Sequence, residues 1–239
     1  MIYDGREVIF IDYEHDQMTS FSLPDGIVAI GISGGLDSTT LFYALCKYIT
    51  DLNLDIKILP IHHVDKYLSN SLIPTQIIVD DVIKKYPNVK ILDLEVNFYN
   101  GGDYFEDSIV KRYNKLNSMN NFYKDLYKKY IDLKIIVTAL TGLPSYEIVK
   151  KWNCNVAHNR VKKLFPIHEH TENGVHLFNP FALCDKKLIA NTFKYLNLPK
   201  KYLTETWSCT KYGIDTKNFT QPCGRCYHCW EKKWAFGQF

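Results

Sequence analysis

Ile27-Val-Ala-Ile-Gly-Ile-Ser33-Gly34-Gly35-Leu36-Asp37-Ser38-Thr39-Thr40 joins a short apolar run to a segment of helical period through a turn of Ser-Gly-Gly-Leu-Asp-Ser. Its position between a buried strand and a helix gives the turn its meaning. Gly34 and Gly35 can adopt dihedrals closed to other residues and let backbone N–H groups approach an anion, while the helix that follows directs its partial positive end to the same point. Ser33, Ser38 and Thr39 add hydroxyls, and Asp37 can cap the helix or hold Mg²⁺. The block from Ser33 through Leu36 to Thr39 therefore reads as a cradle for pyrophosphate. Neither G-x-x-x-x-G-K-[ST] nor G-x-G-x-x-G occurs, which argues against γ-phosphate chemistry and dinucleotide binding.

Outward from this turn, short β-branched runs alternate with longer segments of helical period. Ile27–Ile32, Thr39–Ile49, Ile56–His62, Pro74–Tyr86 and Lys90–Val96 read as βαβαβ. Pro74 suits the first turn of the second helix, Ile78, Val82 and Ile83 give it one apolar stripe, and Pro87 stops it. Residues 105–130 continue as helix, interrupted by the polar cluster Asn117–Asn121. Leu133–Leu140 is the near-continuous apolar run of a strand covered on both faces. The fold class that follows is α/β, doubly wound around a mostly parallel sheet. Residues 164–178 read as a hairpin about Glu172-Asn173-Gly174, and 186–196 as an amphipathic helix capped by Asp185. Three divisions result: an added strand or arm at 1–26, a nucleotide-binding domain at 27–183, and a helical and metal-binding module at 184–239.

The chain of 239 residues, 46% hydrophobic and 23% charged, is long enough to bury a sizeable core. No apolar run approaches the roughly 18 residues of a membrane-spanning helix. The acidic first twenty residues lack the basic start and apolar stretch of a secretion signal, so the expected location is the cytoplasm. Charge is divided unevenly: residues 1–110 hold 7 Lys/Arg against 17 Asp/Glu, and residues 111–239 hold 22 against 9. A basic half suits an anionic ligand such as a nucleotide or RNA, and equally a solvated lysine surface.

Seven cysteines, an odd number in a reducing compartment, point to metal or thiol chemistry rather than disulfides. Four of them close the chain as Trp207-Ser208-Cys209, then Cys223-Gly224-Arg225-Cys226-Tyr227-His228-Cys229. Thiolates spaced by two residues, with a fourth returned by a loop, can close a tetrahedral Zn²⁺ site, and four protein ligands leave no open position, so such a metal is structural. An iron–sulfur cluster takes the same ligands, and a metal-free cluster is the third alternative. Cys46, Cys154 and Cys184 read as core cysteines.

The stretch Ser33–Ser38 resembles the signature of the ATP pyrophosphatase (PP-loop) superfamily, whose members cleave ATP to AMP and pyrophosphate while adenylating a substrate oxygen. Trp-Ser-Cys followed by Cys-Gly-x-Cys-x-x-Cys, together with Asn179-Pro-Phe-Ala-Leu-Cys-Asp185-Lys186, resembles the C-terminal part of the 7-cyano-7-deazaguanine synthase family of queuosine and archaeosine biosynthesis. The resemblance implies ATP with Mg²⁺ as cosubstrate, structural zinc on Cys209, Cys223, Cys226 and Cys229, and a catalytic role for Asp37 and Lys186. It implies further that a carboxylate such as 7-carboxy-7-deazaguanine is adenylated and then amidated by ammonia, to an amide or onward to a nitrile. A homodimer is compatible with this reading, whereas a nucleic-acid partner is not favoured by it.

Two segments depart from the family. Thr141-Gly142-Leu143-Pro144-Ser145-Tyr146 stands where the family has a Gly-Tyr-Pro-Asp-Cys-Arg type segment, and Ile61-His62-His63-Val64-Asp65-Lys66 replaces a Tyr-x-Gln-Arg-His-like run. His62, His63, Gly142, Pro144 and Tyr146 are accordingly expected to line an acceptor pocket altered from that of the family. His168, His170 and His176 alternate on the hairpin, where hydrogen-bonded surface histidines are commoner than a second metal. Trp207 is expected to pack over the metal knuckle. Two other classes compete: a PP-loop enzyme that adenylates a tRNA base, and a nucleotide-binding interaction protein without catalysis.

Overall fold

The computed structural model describes residues 1–65, 72–99, 108–152, 168–170, 174–206, 209 and 222–237, with side chains for all but 65, 108–114 and 169–170. Strands β4 (Gly26–Gly31), β5 (Ile56–Asp65), β6 (Glu95–Tyr99), β7 (Leu133–Val137), β8 (His168–His170) and β9 (His176–Phe178) form one sheet in the order β6-β5-β4-β7-β9-β8. All neighbours are parallel except β8, which returns antiparallel to β9. The chain moves outward from β4 through β5 to β6, then crosses back to place β7 on the other side of β4. The order thus reverses between β4 and β7, and a crevice opens at such a switch point beyond the carboxyl ends of the strands.

Strand alternation separates two cores. Val28 and Ile30 of β4 face one side with Ile58 and Val137, against α1 (Leu36–Leu52) and α2 (Leu72–Lys85). Ile27 and Ala29 face the other with Leu59, Ile61 and Ile136, against Tyr123 and Leu126 of α3 (Ser108–Lys129). The helix α1 is buried around most of its circumference, because a second layer covers the side turned from the sheet.

That layer corrects the expectation for residues 1–26. They form a three-stranded antiparallel sheet, β1 (Ile2–Asp4), β2 (Glu7–Asp12) and β3 (Gln17–Phe21), rather than a single strand or arm. Phe10 stacks on Phe21 and meets the edge of Phe181, and the Tyr48 hydroxyl of α1 donates to the Arg6 carbonyl at 2.9 Å. Val8, Phe10 and Phe21 share one core cluster with β4, α1 and the inward face of α5 (Lys186–Tyr195). On α5, Asp185 caps as expected, accepting from the Lys187 N–H at 2.8 Å, and Leu188, Ile189, Thr192, Phe193 and Leu196 are buried. Two short helices, α4 (Tyr146–Lys150) and α6 (Tyr202–Glu205), precede the C-terminal α7 (Tyr227–Phe236).

Two further expectations are corrected. The helix over 105–130 is not interrupted at 117–121: α3 runs unbroken to Lys129, because Met119, Tyr123 and Leu126 carry its apolar stripe across the polar cluster. The strand expected at Lys90–Val96 makes only a single bridge, Ile91 to Ile58, and regular pairing begins at Glu95 against Ile61. The hairpin appears as β8 and β9, with Gly174 at φ +75° and residues 171–173 outside the described set.

Candidate nucleotide site and cysteine cluster

The turn after β4 is held in shape by its own side chains. Ser38 Oγ donates to the Gly35 carbonyl at 3.1 Å and accepts from the Ser33 N–H at 3.1 Å. Ser33 Oγ accepts from the Gly35 N–H at 3.3 Å. Of the two glycines only Gly34 has positive φ, +76°; Gly35 is extended and caps α1 with no side-chain cap. Asp37 is therefore not the helix cap, one of its two expected roles. Thr39 is wholly buried, its hydroxyl donating to the Gly35 carbonyl at 2.8 Å, so it braces the turn from within rather than presenting a hydroxyl to a ligand.

A cavity of about 410 Å³ opens on this turn at the switch point of the sheet. Ser33, Gly35, Leu36, Asp37 and Ser38 line one side, and Thr138, Ala139 and Leu140 beyond β7 line the opposite one. His63, Lys115 and Tyr123 line the side toward β5 and α3, and Lys186 and His228 the remaining one. By helix geometry the first-turn N–H groups of α1 lack intrahelical partners and carry its positive end.

Lys186 is 2% exposed, and its ammonium lies 3.2 Å from Asp37 Oδ2 and 3.1 Å from Glu231 Oε2. Burial works against its charge, but the carboxylates of Asp37 and Glu231 outweigh that and hold its pKa above the ordinary lysine value. Glu231, also buried, accepts on Oε1 from the Tyr227 hydroxyl at 2.9 Å. Sequence reasoning missed Glu231; its signal was an acid two residues beyond Cys229 on a helix with a buried face.

The adjacent histidines separate. His62 is buried, and its Nδ1 donates to the Ile32 carbonyl at 2.6 Å, tying β5 to the start of the turn. His62 does not line the cavity, and burial lowers its pKa. His63 points to the other face of β5, lines the cavity and stacks on Tyr99 with ring centroids 4.6 Å apart. The Asn97 amide donates to its Nδ1 at 2.6 Å. Burial first, then the charge of Lys115 and the neighbouring His62, lower its pKa to about 4, so the ring is neutral near pH 7.

Gly142, Pro144 and Tyr146 are not among the described residues that line this cavity. Past Leu140 the chain turns onto α5 and α7. The Gly142 N–H donates to the Cys184 carbonyl at 2.7 Å, and a Cβ there would meet the Ala182 carbonyl at 3.0 Å. Pro144 is buried and Tyr146 is 52% exposed. Leu143, Val149 and Trp152 pack on Tyr227, Trp230 and Trp234 of α7.

Cys209, Cys223, Cys226 and Cys229 converge with all four sulfurs within 4.8 Å of one another. Sulfur separations of 3.9 Å (Cys223 to Cys229), 3.9 Å (Cys226 to Cys209) and 3.5 Å (Cys226 to Cys229) match the ~3.8 Å edge of a tetrahedron with bonds of ~2.3 Å. This donor set fits a single ion. Trp207 and Cys154 lie outside the described residues. Cys46 and Cys184 are buried in the core, where burial pushes both thiols up, Cys184 to about 11. His168 and His176 bond to each other at 3.1 Å; the His170 side chain is outside the described set.

No protein-family model matches the chain, and no curated protein matches it in sequence. Among solved structures it is similar to the U34-tRNA thiolase NcsA of Methanococcus maripaludis, solved with its 4Fe–4S cluster, at 13% identity and a TM-score of 0.47 over 74% of this chain and 59% of that one. It is also similar to an NAD⁺ synthetase of Burkholderia pseudomallei, at 12% identity and a TM-score of 0.44 over 90% of this chain and 74% of that one. The chain thus spans about three fifths of the length of the thiolase. Among the described residues no helix is long and apolar enough to cross a membrane.

Proposed function

We propose that the chain is a PP-loop ATP-dependent ligase that adenylates a carboxylate and passes the acyl group to ammonia, as its resemblance to the 7-cyano-7-deazaguanine synthase family implies. The observation that carries the reading is the cavity at the switch point, which brings the Ser33–Ser38 turn, the positive end of α1 and the Lys186 ammonium to one place. In the proposed reaction an acceptor carboxylate oxygen attacks the α-phosphorus of ATP, the bond to the bridging oxygen breaks, and pyrophosphate leaves. Ammonia then adds at the acyl carbon and AMP departs, giving the amide and a proton; in the family a second ATP activates the amide oxygen to yield the nitrile.

The chain's own residues position and neutralise. The first-turn N–H groups of α1 and the Ser33 hydroxyl would face the charge that develops on pyrophosphate, with Lys186 beside them. Mg²⁺, which would be held by Asp37, supplies charge neutralisation on the departing oxygens. The acceptor would lie toward His63, Lys115 and Leu140. The four thiols would hold one Zn²⁺ as a structural tie; a four-iron cluster interposes its own iron and sulfide atoms and requires a wider thiol set.

The basic surplus of residues 111–239 favours one second reading, adenylation of a tRNA base by the same cradle. Turnover of ATP with ammonium against 7-carboxy-7-deazaguanine, related acids and bulk tRNA separates the readings. AMP formation with an acid supports the ligase, with tRNA alone the second reading, and with none of them an interaction protein without catalysis.

A further inference from the structure

The helix that carries Cys226 at its cap and Cys229 in its first turn also carries Glu231, and Glu231 reaches the nucleotide cavity through a single intermediary. Glu231 Oε2 lies 3.1 Å from Lys186 Nζ, and the same nitrogen lies 3.2 Å from Asp37 Oδ2. Tyr227, one turn earlier on α7, donates to Glu231 Oε1 at 2.9 Å, and His228 Nδ1 stands 3.9 Å from Oε2. The Glu231 and Lys186 side chains are 4% and 3% exposed, whereas Asp37 is 23% exposed toward the cavity.

We propose that Glu231 is a positioning residue for the nucleotide site: it shares the Lys186 ammonium with Asp37, so that the cysteine module sets how much of the Asp37 charge faces the cavity. This rests on the reading of the cavity as a site for magnesium and nucleotide. Because Glu231 shares the Lys186 ammonium, less of that positive charge falls to Asp37 than in a simple pair, which favours a cation on the cavity side of Asp37. Without the Glu231 carboxylate the ammonium pairs more fully with Asp37, and a cation at Asp37 is held less well. Glu231 touches neither cation nor nucleotide in this scheme; it acts through Lys186. Charge-assisted bonds in a buried setting are stronger than exposed ones, so the effect of losing one is measurable.

The test is binding of α,β-methylene-ATP by calorimetry over a range of Mg²⁺ concentrations, with zinc and iron content determined on the same samples. For Glu231→Gln we expect unchanged metal content and a Mg²⁺ requirement for half-maximal binding raised about tenfold, the factor appropriate to one charge-assisted hydrogen bond. Tyr227→Phe removes only the hydroxyl that orients Glu231 and should shift the requirement the same way by a smaller factor. It decides the question if Glu231→Gln fails to fold. A wild-type protein that binds the analogue, with a variant of unchanged Mg²⁺ dependence, overturns the role of Glu231 and leaves the nucleotide reading standing. A wild-type protein that does not bind the analogue overturns both.

Discussion

The turn after β4 and the loop after β7 both leave the carboxyl end of a central parallel strand, yet they put their backbones to opposite uses. In the first, Ser33, Ser38 and Thr39 brace the turn internally, and Leu36, Asp37 and Ser38 bring the N-terminus of α1 to the cavity wall. The second lines the cavity only as far as Leu140, then spends its polar groups on Cys184 and its side chains on α7. The proposed anion cradle thus rests on local backbone geometry, which a short motif determines. Acceptor contacts depend on which way a loop folds against distant elements.

The largest expected effect comes from breaking what the second loop packs on. Cys226→Ser removes one of four converging thiols and should abolish metal binding and release α7, since assembling such sites supplies apparent folding free energy on the order of 10 kcal/mol in small zinc modules. Elemental analysis and limited proteolysis check this; a folded variant with full metal content would show that the cysteines are not the ligands.

Next comes Gly142→Ala, which sets a Cβ 3.0 Å from the Ala182 carbonyl. We expect a loss of about 1–3 kcal/mol from overpacking, read as a lower urea midpoint with unchanged slope. An equal midpoint would mean that the loop is not seated against this backbone.

The two histidines sharpen the comparison inside one strand. His62→Ala removes a buried bond to Ile32 and should cost about 1–3 kcal/mol of stability while leaving the acceptor KM unchanged. His63→Ala should raise the acceptor KM with less effect on stability. Because the folded pKa values of both lie below the ordinary histidine value of 6.5, His63 at about 4, the unfolded chain takes up protons first as pH falls. Their contribution to stability is full above pH 6.5 and is lost progressively as pH falls toward 4. Unfolding midpoints from pH 7 to 5 should fall less steeply in His63→Ala than in the wild-type protein. The smallest effect is expected for Tyr146→Ala, half-exposed and away from the cavity: stability within about 0.5 kcal/mol and no change in acceptor KM.

Those contrasts also mark what could be read in advance. The parallel sheet, α1 and the Asp185 cap followed from apolar periodicity and cap chemistry, which are local. The four cysteines were legible because ligand spacing is itself a constraint of coordination geometry. His62 and His63 were paired as candidates although adjacent residues of a strand must face opposite sides, so only one could line a pocket. The unbroken α3 was obscured because Asn117–Asn121 are poor helix formers, whereas packing of Met119 and Tyr123 against the sheet outweighs intrinsic preference. The start of β6 at Glu95 and the partnership of Lys186 with Glu231 are set by tertiary contact across 34 and 45 residues; no local pattern encodes them.

The central claim, that the Ser33–Ser38 turn cradles pyrophosphate for cleavage between the α- and β-phosphates, is tested most directly by the nucleotide products. With ATP labelled at the α- and γ-phosphates, ammonium and the panel of acids and tRNA, the account predicts AMP and pyrophosphate, and no turnover by a folded Asp37→Ala variant. Accumulation of ADP and phosphate by the wild-type protein, lost in Asp37→Ala and therefore its own, would contradict it.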